Sequence, residues 1–209
     1  MKQTHLAFGQ GAAVARPVIG SKRFFDIGLS ILLLPLFAIV AIALVVLNPF
    51  FNRGPLMYYQ RRMGLGGQPF QAWKFRTMMP AKAIVRGAYD GLEEDRIAHM
   101  GRILRKARID ELPQIINVLR GEMSLIGPRP DLYEHACIYM KTVPGYSARH
   151  QIMPGISGYA QTQVGYVDGE EGVQRKVAAD LYYIGHANLR LDLWILWRTL
   201  CVIAAREGR

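Results

Sequence analysis

Polar and apolar positions interleave along most of the chain, but from Ile27 to Asn52 no charged residue occurs, and Ile27 to Leu47 reads IGLSILLLPLFAIVAIALVVL. Such a run is long enough to cross a bilayer as a helix. A straight helix from Ile27 to Asn52 would measure about 39 Å against a hydrocarbon core of about 30 Å. Pro35, near the centre, removes a backbone hydrogen bond and crowds the preceding turn, which predicts a kinked or broken helix. Arg16, Lys22 and Arg23 precede the run, and Arg53, Arg61 and Arg62 follow it. A spanning helix concentrates its positive flank on the cytoplasmic side. Two basic flanks therefore predict a re-entrant element over residues 21–52, broken at Pro35, with both ends in the cytoplasm. A full span and a buried core helix are the alternatives. The run is too long and starts too late for a secretory signal, and no small-x-small cleavage site follows.

Residues 1–20 are Gly- and Ala-rich without period and predict a loose tail. Lys22 and Arg23 would then sit at headgroup level, with Phe24 and Phe25 turned inward. Met57 to Arg62 and Pro69 to Phe75 alternate as strands around Gly64-Leu65-Gly66-Gly67, predicting a β-hairpin with a tight turn. No Walker Lys-Ser/Thr and no helix follows those glycines, which argues against a phosphate loop. From Glu93 to Arg120 the period is helical. Asp110 is a good N-cap for a second helix whose first turn tolerates Pro113 and whose end is set by Gly121. Residues 123–130 (MSLIGPRP) and 144–158 read as loops, the second with short strands. Tyr133 to Lys141, Val173 to Tyr183 and Leu189 to Ala205 read as helices. The last carries Trp194, Trp197 and Arg198, and fits either the membrane interface or the core. The fold class is α+β, mainly helical: a short hairpin, one membrane helix and interfacial amphipathic helices, with residues 53–209 forming one structural unit with the membrane element.

With 51% apolar and 20% charged residues the chain can build a core. Its net charge of +10 calls for an anionic partner, whether lipid, phosphorylated substrate or nucleic acid. Cys137 and Cys201 lack metal-ligand spacing and fit a reducing compartment. The five histidines are scattered, and no zinc pattern, nucleophile elbow or dinucleotide fingerprint occurs. Nucleic acid is disfavoured, because the cationic clusters lack a recognisable module and interleaved stacking aromatics.

Asp110-Glu111 is the candidate for chemistry. An ionised Asp can attack an electrophilic phosphorus, and a neighbouring carboxylate can hold a divalent cation. Taken alone, the pair reads more readily as a helix cap beside a solvated glutamate. Lys74 and Arg76 alternate with Phe75 and would share a strand face, and Arg129 stands between two prolines that stiffen it. Each of these also reads as surface charge.

Ordered blocks across the chain carry a resemblance: KRFFD (Lys22 to Asp26), KFRTM (Lys74 to Met78), RKARIDELPQIINVLRGEMSLIGPRP (Arg105 to Pro130), PGISGYAQ (Pro154 to Gln161), and DLYYI followed by LDLWIL (Asp180 to Leu196). From Lys22 to about Thr199 the chain resembles the bacterial sugar transferase family, the monotopic polyprenyl-phosphate phosphoglycosyltransferases. The resemblance implies transfer of a hexose-1-phosphate from a UDP-sugar to undecaprenyl phosphate with release of UMP, at the cytoplasmic face of a bacterial inner membrane, as the first membrane step of exopolysaccharide synthesis. It implies Asp110 as nucleophile, Glu111 as the Mg2+ ligand, and Lys74, Arg105 and Arg129 as phosphate-contacting or site-organising residues, to which Arg76 is added as a substrate-binding candidate from its place beside Lys74 on the strand. It also implies a break at Pro35. Two departures stand out: Leu34 precedes the proline where serine is common, and TQVGYVDGEEG replaces a stretch with Asn-Gly and an arginine. A non-catalytic membrane anchor and a membrane-surface nucleic-acid binder are the rival readings, and the sequence leaves the sugar, the prenyl chain and a homo-oligomer open.

Overall fold

The apolar run folds as a single helix, α1 (Ile19–Phe51), in a computed structural model that describes residues 19–79, 87–91, 93–165 and 169–205. The expected tail thus lies outside the described residues, except for its last two positions, which start α1. At 33 residues the helix is about 50 Å long. Helical structure continues through both Pro35 and Pro49, so the break expected at Pro35 is absent. A proline deprives one carbonyl of its partner and can bend a helix without ending it, and here packing holds both halves. Phe25 and Leu29 join the cluster of Val118, Met123, Ile126, Tyr183 and Ile195. Phe37, Val40, Ala41 and Leu44 join Phe75 and Leu104. Between and opposite these contacts Leu32, Ile39 and Ile42 are at least 66% exposed, which removes the core-helix alternative. Among the described residues α1 is the one helix long and apolar enough to cross a membrane.

The first turns of α1 differ from a headgroup anchor. Lys22 Nζ pairs with Asp192 Oδ2 at 2.6 Å, and Tyr183 Oη donates to the other oxygen of that carboxylate at 2.6 Å. Arg23 donates to the carbonyls of Val118 and Leu119 at 2.7 and 3.2 Å, and Asp26 Oδ1 accepts from Leu125 N at 3.0 Å. Three charged groups of KRFFD thus clasp the globular part. Phe25 turns inward, as expected, while Phe24 is exposed.

The hairpin forms with antiparallel β1 (Met57–Met63) and β2 (Pro69–Phe75), which pair Tyr58 with Lys74 and Gln60 with Ala72. Its turn needs left-handed backbone at Gly66 and Gly67 (φ 62° and 75°), which glycine adopts freely. Helices α2 (His99–Lys106) and α3 (Gln114–Arg120) follow, with Gly121 ending α3 in the left-handed region. Asn117 of α3 is fully buried and completes the free edge of β2. Its Oδ1 accepts from Trp73 N at 3.0 Å, and its Nδ2 donates to Gln71 O at 2.7 Å and Glu122 Oε2 at 2.6 Å.

The MSLIGPRP segment is less loop-like than its prolines suggest: β3 (Ser124–Ile126) pairs in parallel with β4 (Gly155–Ser157). Beyond this short sheet, the backbones at Gly127 and Gly155 approach so closely that a Cβ on Gly155 would lie 2.1 Å from Gly127 N. Helix α4 (Tyr133–Thr142) and α6 (Gly169–His186) enclose Met63, Tyr139, Tyr146 and Val177. The short α5 (Tyr159–Gln163) precedes α6, and α7 (Leu189–Ala204) closes the chain. Helix α7 serves both environments: Asp192 and Ile195 are buried, whereas Leu193, Trp194, Trp197 and Leu200 are exposed.

Candidate functional site

Asp110 and Glu111 lie between α2 and α3, in a tight turn over Ile109–Glu111, and α3 begins only at Gln114. Asp110 therefore does not cap α3, contrary to the sequence expectation. Arg108 sets the turn. Its φ of 52° makes it the one non-glycine with positive φ among the described residues, an unfavourable conformation of the kind that gathers at functional sites. The reversal turns both carboxylates inward: Asp110 is 7% and Glu111 5% exposed.

Three cations converge on Glu111. Lys74 of β2 donates to Oε1 at 2.7 Å. Arg129, from the Pro-Arg-Pro stretch, forks onto both oxygens, with Nη1 3.0 Å from Oε2 and Nη2 in a short contact with Oε1. Arg108 Nη1 stands 3.4 Å from Oε2. Burial pushes the Glu111 carboxyl up, but Arg129 and Lys74 outweigh it and hold the group well below the usual carboxylate range. Asp110 meets the opposite balance. Burial, then the adjacent Glu111 charge, push it up to about 6 against Lys74, Arg105 and Arg129. Among the described residues its carboxylate accepts no hydrogen bond. Burial also lowers Lys74 to about 8, opposed by Glu111.

Of the residues singled out in the sequence, the structure brings Asp110, Glu111, Lys74 and Arg129 together, with Arg105 on the last turn of α2 acting on Asp110 as a nearby cation. Arg76 lies elsewhere. Strand β2 ends at Phe75, and the Arg76 guanidinium turns to the C-terminal end of α1, where it donates to Asn52 O. Pro35 lies within α1. Two cations at the site were missed. Arg108 belongs to the run of cations before Asp110, but its contact with Glu111 depends on a conformation that arises only in the folded turn. Arg62 was legible from the hairpin itself, since the register places Tyr58, Gln60 and Arg62 on the face that carries Lys74. Burial, then Arg129, lower Arg62 to about 10, against Asp131 and Glu111.

Two adjacent buried carboxylates, one neutralised and one accepting no hydrogen bond among the described residues, thus sit amid Lys74, Arg62, Arg105, Arg108 and Arg129. Five cations against two carboxylates suit a ligand that carries several negative charges, and the second carboxylate suits attack on it.

The bacterial sugar transferase profile matches residues 18–206. The UDP-N-acetylgalactosamine-undecaprenyl-phosphate N-acetylgalactosaminephosphotransferase of Aeromonas hydrophila is 38% identical over 211 residues, which cover 100% of this chain and 50% of that protein. The UDP-glucose:undecaprenyl-phosphate glucose-1-phosphate transferase of Caulobacter vibrioides is 41% identical over 185 residues, covering 87% of this chain and 66% of its own length. The enzyme of the same name from Escherichia coli is 37% identical over 183 residues, covering 86% and 39% respectively. The chain therefore spans between about two fifths and just under two thirds of these relatives.

Proposed function

The chain belongs to the bacterial sugar transferase family, and from that premise we propose that it moves a sugar-1-phosphate from a UDP-sugar to undecaprenyl phosphate through a covalent intermediate on Asp110. The observation that carries this reading is the unequal Asp110–Glu111 pair inside its ring of cations. In the first step an Asp110 carboxylate oxygen attacks the sugar-proximal phosphorus. The new P–O bond forms as the bond to the bridging oxygen breaks, and UMP leaves with the electron pair. In the second step a phosphate oxygen of the polyprenyl acceptor attacks the same phosphorus, and Asp110 departs as a carboxylate. Lys74, Arg105 and Arg129 orient the diphosphate and offset its charge, and Arg62 and Arg108 add to that field. Glu111 holds Lys74 and Arg129 in place while remaining ionised.

The donor set fits a magnesium ion shared between protein and substrate. Asp110 has no hydrogen-bond donor on its carboxylate among the described residues, and magnesium is commonly held by one or two carboxylates plus substrate phosphates. No group of three or more acidic, His or Cys side chains forms a cage among the described residues, so the diphosphate would have to supply the remaining oxygens. Asp110 and, on release of one of the cations it now binds, Glu111 would hold the ion, which when bound would neutralise charge on the diphosphate.

The exposed apolar side of α1 and the exposed face of α7 support a monotopic placement, with the site at the cytoplasmic face of the inner membrane. The relatives' names differ in sugar, and the group proposed for transfer is a hexose-1-phosphate. The test is a panel of UDP-sugars mixed with membrane-reconstituted chain, undecaprenyl phosphate and magnesium. One donor class should give UMP and lipid-linked sugar phosphate together, and no UMP with any donor would refute the reading.

A further inference from the structure

The Pro-Arg-Pro stretch has little to donate, because Pro128 and Pro130 lack an N–H. Its carbonyls must find donors elsewhere when buried, and each one from residue 128 to 131 does. Gly155 N reaches Pro128 O at 3.0 Å, and Met63 N reaches Asp131 O at 3.1 Å. The two carbonyls between them are taken by guanidinium groups: Arg149 Nη2 donates to Arg129 O at 2.8 Å, and Arg62 Nη1 donates to Pro130 O at 2.8 Å.

Arg149 is 2% exposed and fully committed. Its Nη1 lies 2.5 Å from Asp131 Oδ2 and its Nε 2.7 Å from Asp180 Oδ2. Lys176 also pairs with Asp131, whose other oxygen accepts from Tyr146 Oη at 2.8 Å together with Arg149. Two cations face two carboxylates, so Arg149 has no charge to spare for a substrate phosphate. Arg62 spends its second Nη on Gln60. A lysine would keep either charge but could not present the fixed planar fork that meets two or three acceptors at once.

We propose that Arg62 and Arg149 are positioning residues that grip the carbonyls on the C-terminal side of the Arg129 Cα, one from β1 and one from the segment before β4, and so aim the Arg129 fork at Glu111. The proposal rests on the reading of Asp110–Glu111 as the transfer site. It predicts that both act through Arg129.

The experiment follows UMP release in the burst expected when the full, membrane-embedded chain meets its UDP-sugar without acceptor. Arg129→Lys, Arg149→Lys and Arg62→Lys should each slow the burst about tenfold or more. In the Arg129→Lys background, adding Arg149→Lys or Arg62→Lys should cost less than about twofold further, because the residue they aim is already changed. Losses that multiply in the double variants, or single variants with the parent's rate, would overturn the proposal. Arg62 stands outside the buried Asp131–Asp180 network, so its pair of variants decides the matter if Arg149→Lys fails to fold. A parent chain without a burst would contradict the transfer reaction itself.

Discussion

At Asp110 and Glu111 two adjacent carboxylates meet opposite surroundings. The sequence pointed to the pair but could not say which member is neutralised, because Lys74 and Arg129 reach Glu111 from 37 and 18 positions away. Arg76 shows the converse: period-two alternation grouped it with Lys74, but the strand stops one residue short. Glu111→Gln would leave Lys74 and Arg129 without their shared anion, so unfolding free energy should fall by about 3 kcal/mol in denaturant titration. The same variant should slow UMP release, and added magnesium should recover part of the loss. His150 offers a pH test. Burial, then Arg149, lower it to about 4, with Asp131 opposing, Lys176 adding its charge and Tyr146 packed 5.4 Å away. Between pH 4 and the ordinary value of 6.5 the unfolded chain binds a proton that the folded chain refuses. This contribution to stability is therefore complete above the ordinary value and is lost as pH falls toward about 4. Melting temperature should drop less between neutral and acid pH in His150→Gln than in the parent, and equal slopes would contradict the assignment.

Elements with a clear period were readable in advance. The hairpin, α4, α6 and α7 lie where alternation or helical spacing put them, with ends shifted by a few residues for α6. What could not be read were features made by distant contacts. Strands β3 and β4 have three residues each, too few for a period, and their pairing depends on glycines that let two backbones touch. The cap assigned to Asp110 failed because Arg108 reverses the chain first, a conformation that propensity disfavours. Asn117 stands in for a missing strand along β2. Asn117→Ala would strand Trp73 N–H and Gln71 C=O, so stability should fall by about 2 kcal/mol, measured by denaturant titration. Retention of full stability would mean that water or another group closes that edge equally well.

Across the whole molecule, both halves of α1 are fastened to one globular unit: Lys22, Arg23 and Asp26 at one end, Leu44 and the Asn52–Arg76 contact at the other. We propose that a helix so fastened keeps both ends on one side of a bilayer, without the break at Pro35 that the sequence suggested. Single cysteines at Gly20 and Arg53, in a variant lacking Cys137 and Cys201, should both resist an impermeant thiol reagent in intact cells. Labelling at Gly20 alone would establish a span. In the proposed reaction the same fastening would hold the cation-ringed carboxylates beside the membrane surface, where a water-soluble donor and a lipid acceptor would meet Asp110 in turn. The most direct test of that account gives the full chain its UDP-sugar and magnesium without acceptor, quenches rapidly in acid, and measures both UMP and peptide mass. About one UMP per active site should appear, with a hexose-phosphate on Asp110 and neither product in Asp110→Asn, as covalent catalysis requires. Near-normal turnover in Asp110→Asn, or an adduct on another residue, would contradict it.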